Sequence, residues 1–318
     1  GPRFTVQVRR RSGEAPAGAS RIEVAADEGE ILAGPLRTPV CELELELLEG
    51  RREDLFALAL SLVAEQPLFL SLRTKSTRGG ALAAGLSGSR PAPVDLSGDI
   101  SAGDALRRSL LEALEELAAR QVEAGVAGGD PAPSVEAVHQ LRVSLRRLRS
   151  LISVFRRRLG PERVAGLRPG LKALARSCAA VRDLDVLMAL APAGPGLEAA
   201  LSKARSLAAA ALTARLSAAP ARLLPIDILR LAEDEGWRCH PDNLGPAAPA
   251  LGADLGRRWR RIRRGARKAA DLGDADLHAL RLRIKAFRYA LVALEAPAWG
   301  PATRTLERRL HAAQDALG

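Results

Sequence analysis

The stretch HQLRVSLRRLRS, residues 139–150, recurs as HALRLRIKAFRY at residues 278–289. The correspondence joins His139 with His278, Arg142 with Arg281, Arg146 with Lys285 and Arg149 with Arg288, always 139 positions apart. In an α-helix these offsets place all four side chains within about 80° of arc on one face. The repeat therefore predicts two copies of one helical unit, each with a histidine and three cations along one face.

The opposite face of both predicted helices is apolar. Its residues are Leu141, Leu145, Leu148, Ile152 and Phe155 in the first copy and Leu280, Ile284, Phe287, Leu291 and Leu294 in the second. Each helix thus buries one side and offers cations on the other. Two such stripes in one molecule favour a binding site for a long anion, although a solvated charged helix face has the same pattern.

Charge is unevenly distributed along the chain. The net charge is +11, but residues 1–100 carry 12 Lys/Arg against 14 Asp/Glu, whereas residues 101–318 carry 36 against 23. The basic character therefore belongs to the C-terminal two-thirds, which predicts an anionic partner for that part.

The cysteine pattern and the hydropathy bear on location. Cys41, Cys178 and Cys239 are scattered, with neither metal-ligand spacing nor a disulfide framework, which favours a reducing compartment. No secretory signal begins the chain, and no apolar run approaches the roughly 20 residues that span a bilayer. We expect a cytoplasmic protein with no membrane partner.

The N-terminal part has the pattern of a small β-rich region. Residues 1–78 contain four segments typical of strands, FTVQVRRR, SRIEVAAD, CELELELLEG and PLFLSLRTK, and one amphipathic helix over 52–65. Residues 27–30 (DEGE) have the composition of a hairpin turn. Residues 79–101, rich in Gly, Ser, Pro and Ala, indicate a linker.

The remainder, residues 102–318, has helical periodicity. Helices are predicted near 103–124, 134–159, 162–190, 195–217, 222–235, 249–271, 275–295 and 301–317. A second repeat, LARSCAAVRDLD from Leu174 and LERRLHAAQDAL from Leu306, supports two repeat units at about 102–218 and 222–318. The fold class is therefore mainly α, with two pseudo-symmetric four-helix bundles and a smaller α+β antiparallel N-terminal region.

Two further basic features are candidates for the same site. The run RRWRRIRRGARK, residues 257–268, places Arg260, Arg264 and Arg267 on one narrow stripe, which either extends the site or is a solvated face. Arg182 either joins the site or forms an internal ion pair with Asp183 or Asp185.

Three carboxylates alternate along one predicted strand. Glu42, Glu44 and Glu46 share one face of that strand, and Leu43, Leu45 and Leu47 share the other. Aligned carboxylates suit Mg²⁺ or Mn²⁺, but a solvated strand face has the same pattern.

The helical part resembles the CHAD domain, the conserved-histidine α-helical domain. The matching segments are VHQLRVSLRRLRS (138–150), VRDLDVL (181–187) and LHALRLRIKAFRYAL (277–291). The resemblance implies a pair of four-helix bundles whose histidines and basic residues face a cleft. It also implies that the domain binds inorganic polyphosphate, needs no cofactor and catalyses no reaction.

The N-terminal part resembles the second half of a CYTH domain, a barrel that encloses a triphosphate-binding tunnel. The matching segments are RIEVAADEGEI (21–31), PVCELELELLEG (39–50) and TKSTRG (74–79). The resemblance implies a partial barrel in which basic residues hold a triphosphate and carboxylates hold Mg²⁺ or Mn²⁺. The opening Glu-x-Glu-x-Lys strand of that family is absent from the sequence, so we expect no triphosphatase activity from this chain alone.

The expected function is therefore polyphosphate binding. The resemblance also implies association with polyphosphate granules. The residues expected to bind are His139, Arg142, Arg146, Arg149, His278, Arg281, Lys285, Arg288, Arg260, Arg264, Arg267 and Arg182. A metal-dependent triphosphatase is the alternative. Nucleic-acid binding is less favoured, because the stripes carry no paired aromatic residues on which bases would stack. Chain-length preference and oligomeric state stay open.

Overall fold

The structure is a computed structural model that describes residues 3–85, 99–125, 132–190, 194–293, 305–306 and 308–312. The chain divides into two compact units, Gly1–Pro91 with Ser217–Ile226, and Ala92–Leu216 with Asp227–Gly318. The first contains a small sheet and the second is helical.

Three antiparallel strands in the order β1-β2-β3 form the sheet of the first unit. They are β1 Thr5–Ala17, β2 Ser20–Ala33 and β3 Leu36–Glu49. Gly18 and Gly34 make the two connecting turns with φ of 61° and 59°, a region that favours glycine. Ile31 and Val40 are buried on one face of the sheet, and Ile22, nine residues before Ile31, is buried on the other.

The turn predicted at residues 27–30 is wrong, because all four residues lie inside β2. A Cβ on Gly29 would lie 2.0 Å from the carbonyl oxygen of Gln7, so glycine here allows β1 and β2 to approach closely. The register pairs Asp27 with Arg10 on one side and with Glu42 on the other.

Two helices complete the first unit, α1 Arg52–Glu65, as predicted, and α2 Lys75–Ala83. The strand predicted for PLFLSLRTK is wrong, because residues 67–74 form neither helix nor strand and Lys75 begins α2. Thr74 caps α2 by accepting a hydrogen bond from the Thr77 amide at 3.1 Å. The predicted linker therefore begins with helical residues 79–83, and residues 86–98 lie outside the described residues.

The remaining helices differ greatly in length, and they lie in the second unit except for residues 217–226, which belong to the first. They are α3 Ala102–Gly125, α4 Val135–Leu159, α5 Pro161–Ala165, α6 Arg168–Leu190, α7 Pro195–Ser217, α8 Ala219–Glu233, α9 Glu235–Arg238, α10 Pro241–Leu244, α11 Ala247–Ala266 and α12 Asp274–Ala293. The helix predicted over 162–190 is divided between α5 and α6, and that predicted over 249–271 ends at Ala266. Of the last predicted helix only 305–306 and 308–312 are described, and they are helical. The mainly α fold with a small antiparallel N-terminal sheet is confirmed.

Helix α4 occupies the centre of this unit and packs against α3, α6 and α12. The described residues of the predicted apolar faces of α4 and α12 are buried, with Leu141, Leu148 and Phe155 at 1% exposure or less and Leu280 and Ile284 at 2–3%. Leu294 lies outside the described residues. Because these faces are buried, the basic stripes on the other sides of α4 and α12 are held in fixed positions.

Helix α4 is kinked near its end, where Phe155 has non-helical φ and ψ of −101° and 16°. The helix stops at Gly160, whose φ is 87°. The kink sets the direction in which the following Arg156, Arg157 and Arg158 project. In the described part of the chain, no helix combines the length and the apolar character that a membrane span requires.

Candidate anion-binding site

The two repeated stripes meet around Tyr289. The first lies on α4 and the second on α12, and these helices pack together. The guanidinium carbon of Arg146 from α4 lies 4.6 Å from the centroid of the Tyr289 ring. That of Arg288 from α12 lies 4.9 Å from the same centroid. Both distances are within the range of cation–π attraction, so one ring holds an arginine of each helix.

Five half-buried cations form what we call the cation cluster: Arg142, Arg146, Arg281, Lys285 and Arg288. Burial, followed by the charges of the four arginines, lowers the pKa of Lys285. Burial likewise lowers the pKa of Arg146, with contributions from Arg142 and Arg288. A lowered pKa means that the protein disfavours the charged form of the side chain. A bound anion would favour that charged form.

The residues that the structure describes supply no carboxylate to the cation cluster. Among the described residues, none of its five members has a carboxylate oxygen within 4.0 Å. The Nε atoms of Arg146, Arg281 and Arg288 are buried and have no hydrogen-bond partner in the part of the chain that the structure describes. Buried polar groups are normally satisfied, so three unpaired guanidinium nitrogens in one cluster indicate a place for an external acceptor.

The neighbouring Arg147 shows the contrasting arrangement. It lies on the other side of α4 and is paired with Glu116 at 3.0 Å and with Glu112 at 3.7 Å, both on α3. Of the adjacent pair Arg146 and Arg147, Arg147 thus joins two helices, whereas Arg146 has no carboxylate partner among the described residues.

A cavity of about 670 Å³ continues from the cation cluster along α4, α6, α11 and α12. Arg146, Arg149 and Lys285 line it and also belong to the repeated stripes. The other cations in its wall are Arg156, Arg157, Arg158, Arg168, Lys172, Arg257, Arg258 and Arg261. We call this the basic cavity. None of these eight residues was among those predicted to bind: five lie outside both basic segments considered, and Arg257, Arg258 and Arg261 lie on the other flank of the run 257–268.

Three of these arginines hold the cavity wall together. Arg158 and Arg257 both pair with Asp254, the one carboxylate among the lining residues. Arg158 also donates to Asn243 Oδ1 at 3.0 Å and to the Ala250 carbonyl at 3.0 Å. Arg258 donates to the Val154 carbonyl at 2.9 Å, next to the kink. These bonds fix the kinked end of α4 against α10 and α11 and leave the other cations of the cavity uncompensated.

The nine cavity cations with no carboxylate partner in the described part of the chain are Arg146, Arg149, Arg156, Arg157, Arg168, Lys172, Arg258, Arg261 and Lys285. Arg149 is exposed, yet partial loss of hydration lowers its pKa. Their mutual repulsion in one cavity raises the affinity for anions.

The histidines lie one helical turn before the cation cluster. His139 is half-buried on α4 and His278 is exposed on α12. They precede Arg142 and Arg281 by three residues, so each shares the face of its stripe. A direct role in phosphate contact stays a prediction for both.

Arg182 does not form the ion pair that was the alternative to a role in the site. It is half-buried on α6, and the described residues include no carboxylate partner for it. The Asp185 carboxylate instead accepts a hydrogen bond from Arg205 at 2.8 Å. Arg182 is not among the residues that line the basic cavity.

The arginines of α11 that line the cavity differ from those predicted. Arg260, Arg264 and Arg267 are exposed and do not line it. Arg257, Arg258 and Arg261 do. The basic run 257–268 therefore lies beside the cavity, but the arginines that line the cavity are on the flank of α11 opposite to the predicted one.

In the first unit, carboxylates and cations are matched. Oxygens of Asp27, Glu42 and Glu44 lie within 4.8 Å of one another, and Glu46 is exposed and does not join them. The Lys75 amino group lies 2.5–2.6 Å from all three. Arg10 pairs with Asp27 at 2.6 Å, and Arg78 with Glu42 at 2.7 Å. We use the name carboxylate–lysine cluster for the six residues Arg10, Asp27, Glu42, Glu44, Lys75 and Arg78.

These contacts decide what the carboxylate–lysine cluster can bind. Hydrogen bonds from Arg10 and then Lys75 hold the pKa of Asp27 far below its usual range. Burial opposes the charge on Lys75, but its hydrogen bonds to Asp27, Glu42 and Glu44 raise its pKa above the ordinary value. The donor set fits a hard cation, and the ammonium group of Lys75 fills that position. Mg²⁺ or Mn²⁺ would have to displace it.

Comparison with known proteins gives three findings. The family described as the CHAD domain matches residues 108–318. An inorganic triphosphatase of Haemophilus influenzae is 42% identical over 60 residues, which are 19% of this chain and 17% of that protein. The chain thus matches less than a fifth of that relative's length. The crystal structure of the CHAD domain from the plant Ricinus communis superposes with a TM-score of 0.56 at 25% identity, covering 73% of this chain and 78% of that one.

Proposed function

The chain belongs to the CHAD domain family, and on that premise we propose that its helical unit binds inorganic polyphosphate in the cation cluster. One observation carries the proposal. Five half-buried cations from two helices converge where the described residues supply no carboxylate. Such a cluster is stabilised by an anion that brings many negative charges close together.

The chemistry of binding follows from the side chains. Arginine and lysine form charge-assisted hydrogen bonds with phosphate oxygens, and arginine can form two at once. Each phosphate unit that enters replaces repulsion between cations by attraction and supplies an acceptor for a buried Nε atom. Guanidinium and ammonium groups stabilise anions without activating water, so the proposed role is binding.

The same features favour polyphosphate over nucleic acid. Single-stranded nucleic acid is bound by aromatic side chains on which successive bases stack. The aromatic ring at the centre of the cluster, Tyr289, is engaged by Arg146 and Arg288 instead. A cytoplasmic protein that associates with polyphosphate granules is the cellular setting that this proposal implies.

The proposal is tested by replacing Arg146, Lys285 and Arg288 together with glutamine. Affinity for end-labelled long-chain polyphosphate, measured by fluorescence anisotropy, should fall by at least about 100-fold, because each charge-assisted hydrogen bond contributes about 1.5–3 kcal/mol. The matched control is Arg108→Gln with Lys203→Gln and Arg215→Gln, which removes the same charge from exposed positions. Equal affinities of the two triple variants would show that the cluster is not the site.

A second candidate function, hydrolysis of triphosphate, is favoured by the similarity to an inorganic triphosphatase and by the three adjacent carboxylates. In this proposal a divalent cation displaces Lys75 from Asp27, Glu42 and Glu44. Release of phosphate from tripolyphosphate with Mn²⁺, lost in Glu42→Gln, would support it. No release above the rate without protein would leave binding as the function.

A further inference from the structure

The outward side of α11 carries four arginines that the proposed function does not use. They are Arg260, Arg263, Arg264 and Arg267, all of them exposed, and none of them lines the basic cavity. By helical periodicity they lie within about 100° of arc, on the side of the helix opposite to the buried Ile262. The rise along the helix axis from Arg260 to Arg267 is roughly 10 Å. We call these four arginines the outer ridge.

The outer ridge has no internal counter-charge. Among the described residues, no carboxylate oxygen lies within 4.0 Å of its four arginines. The only carboxylate in the sequence of α11, Asp254, pairs with Arg158 and Arg257 instead. One or two cations near the end of a helix stabilise it through the helix dipole, but four adjacent cations also repel each other. The outer ridge therefore attracts an external anion.

The outer ridge faces away from the cation cluster. Helices α11 and α12 run antiparallel, since Trp259 stacks on Phe287 at 6.0 Å and a Cβ on Gly265 would lie 3.1 Å from Leu280 Cδ1. The flank of α12 that carries the cation cluster and the flank of α11 that lines the basic cavity face the same side of this helix pair. Arg283 lies on the other flank of α12 and is exposed, so it adds a cation on the side of the outer ridge. An anion on this side is separated from the cation cluster by the helix pair itself.

The shape and the surroundings of the outer ridge indicate which kind of anion fits it. The apolar face of α11 is buried, with Leu255 and Ile262 at 4% exposure, so the helix has no free apolar side that could enter a lipid headgroup layer. The outer ridge is convex, so a partner that surrounds it has to be concave and lined by negative groups. The major groove of B-form DNA is about 12 Å wide and admits an α-helix, which is about 10–12 Å across, whereas the major groove of A-form RNA is deep and narrow. Phosphate contacts to a duplex need no aromatic side chains, unlike the binding of single strands.

We propose that the outer ridge is a docking surface for double-stranded DNA, which it binds through the phosphate groups and without sequence preference. The inference goes beyond the proposed function, because it concerns a different face of the helical unit and a different ligand. Guanidinium groups form paired hydrogen bonds with phosphate oxygens. Residues 247–268 contain no Asn or Gln, the amide side chains that read adenine. Each phosphate that an arginine neutralises releases counterions, so the affinity for DNA falls as the salt concentration rises.

The test measures affinity for a short mixed-sequence DNA duplex by fluorescence anisotropy over a range of salt concentrations. The ridge variant carries Arg260→Gln, Arg264→Gln and Arg267→Gln. The control carries Arg108→Gln, Lys203→Gln and Arg215→Gln, an equal loss of charge from exposed positions. The cluster variant carries Arg146→Gln, Lys285→Gln and Arg288→Gln. Long-chain polyphosphate is measured in parallel, and tryptophan fluorescence confirms that each variant is folded.

The ridge variant should bind the DNA duplex at least about tenfold more weakly than the control, and its plot of log affinity against log salt should be less steep by about 2–3, because three phosphate contacts are lost. The cluster variant should bind DNA like the control while its polyphosphate affinity falls. Equal DNA affinities of the ridge variant and the control would overturn the docking surface and leave the proposed function standing. Equal affinity of the wild type for an A-form RNA duplex of the same sequence, or tighter ridge-dependent binding to phosphatidylserine vesicles, would also overturn it. Unchanged polyphosphate affinity of the cluster variant would contradict the proposed function alone.

Discussion

Lys75 and Lys285 are both partly buried lysines among charged neighbours, and their surroundings are opposite. Lys75 donates to three carboxylates in the carboxylate–lysine cluster, and its pKa is raised. Lys285 lies among four arginines in the cation cluster, and its pKa is lowered. The first set of charges is balanced by the chain itself, whereas the second has no carboxylate partner in the described part of the chain.

This contrast separates two uses of charge in one chain. A balanced cluster holds secondary-structure elements together, because α2 is joined through Lys75 and Arg78 to β2 and β3. An unbalanced cluster costs stability in the free protein, and in the proposed function a bound anion offsets that cost. Stability should therefore depend on the first cluster and ligand affinity on the second.

The largest change in stability is expected for Lys75→Met, which leaves Asp27 and Glu42 without their shared partner. Removing one member of a buried ion pair costs about 3–5 kcal/mol. Hydrogen exchange of the β2 amides measures the free energy of local unfolding in this unit. Arg37→Met is the matched control, since its pair with Glu30 is exposed and should contribute less than about 1 kcal/mol. Equal protection in both variants would contradict the structural role of the cluster.

Acid should weaken the carboxylate–lysine cluster before it affects the cation cluster. Hydrogen bonds from Arg10 and Lys75 lower the pKa of Asp27, and those from Lys75 and Arg10 lower the pKa of Glu44. Groups with lowered pKa stabilise the fold above their unfolded pKa near 4, and this contribution is lost as pH falls below it. We expect a loss on the order of 2 kcal/mol in β2 protection between about pH 5 and pH 2. The Asp27→Asn variant should show a smaller pH dependence, and an equal dependence would assign the effect to other groups.

Tyr289 offers a test of how the unbalanced cluster is organised. Its ring contacts both Arg146 and Arg288, and each cation–π contact contributes about 0.5–1 kcal/mol. Tyr289→Leu should therefore weaken polyphosphate binding by about fivefold to 30-fold, while Tyr289→Phe keeps the ring and should stay within about twofold. A loss in the Phe variant as large as in the Leu variant would show that the hydroxyl, and not the ring, is needed.

Much of this contrast could be predicted from the sequence on the helical side. The 139-residue repeat predicts two equivalent helices, and the apolar face of each predicts which stripe remains accessible. The structure adds that α4 and α12 pack together and that Tyr289 links their arginines. Local periodicity predicts which face of a helix is buried, but it does not predict which other element that face packs against.

For α11, periodicity alone does not identify the arginines that line the basic cavity. The buried face of α11 is centred on Leu255 and Ile262. One arginine set, Arg257, Arg258 and Arg261, flanks this face on one side, and Arg260, Arg264 and Arg267 flank it on the other. Both flanks are equally basic, so the sequence does not indicate which one faces the cavity.

The balanced cluster was missed for a different reason. Asp27 was assigned to a turn because Asp27 and Gly29 are common turn residues. The long β2 strand instead places Asp27 opposite Glu42, and Lys75 reaches both from a helix that was predicted as a strand. Pairing between distant segments decides this site, and no local pattern encodes it.

The most direct test of the account is a measurement on Lys285→Gln with and without long-chain polyphosphate. The tryptophans at 237, 259 and 299 all belong to the helical unit, so their fluorescence follows its thermal unfolding. Removing one uncompensated charge should raise the Tm of the free protein by about 2 °C. The same change should reduce the Tm increase caused by polyphosphate. A lower Tm of the free variant together with an undiminished increase on adding polyphosphate would contradict the claim that this cluster exists to bind an anion.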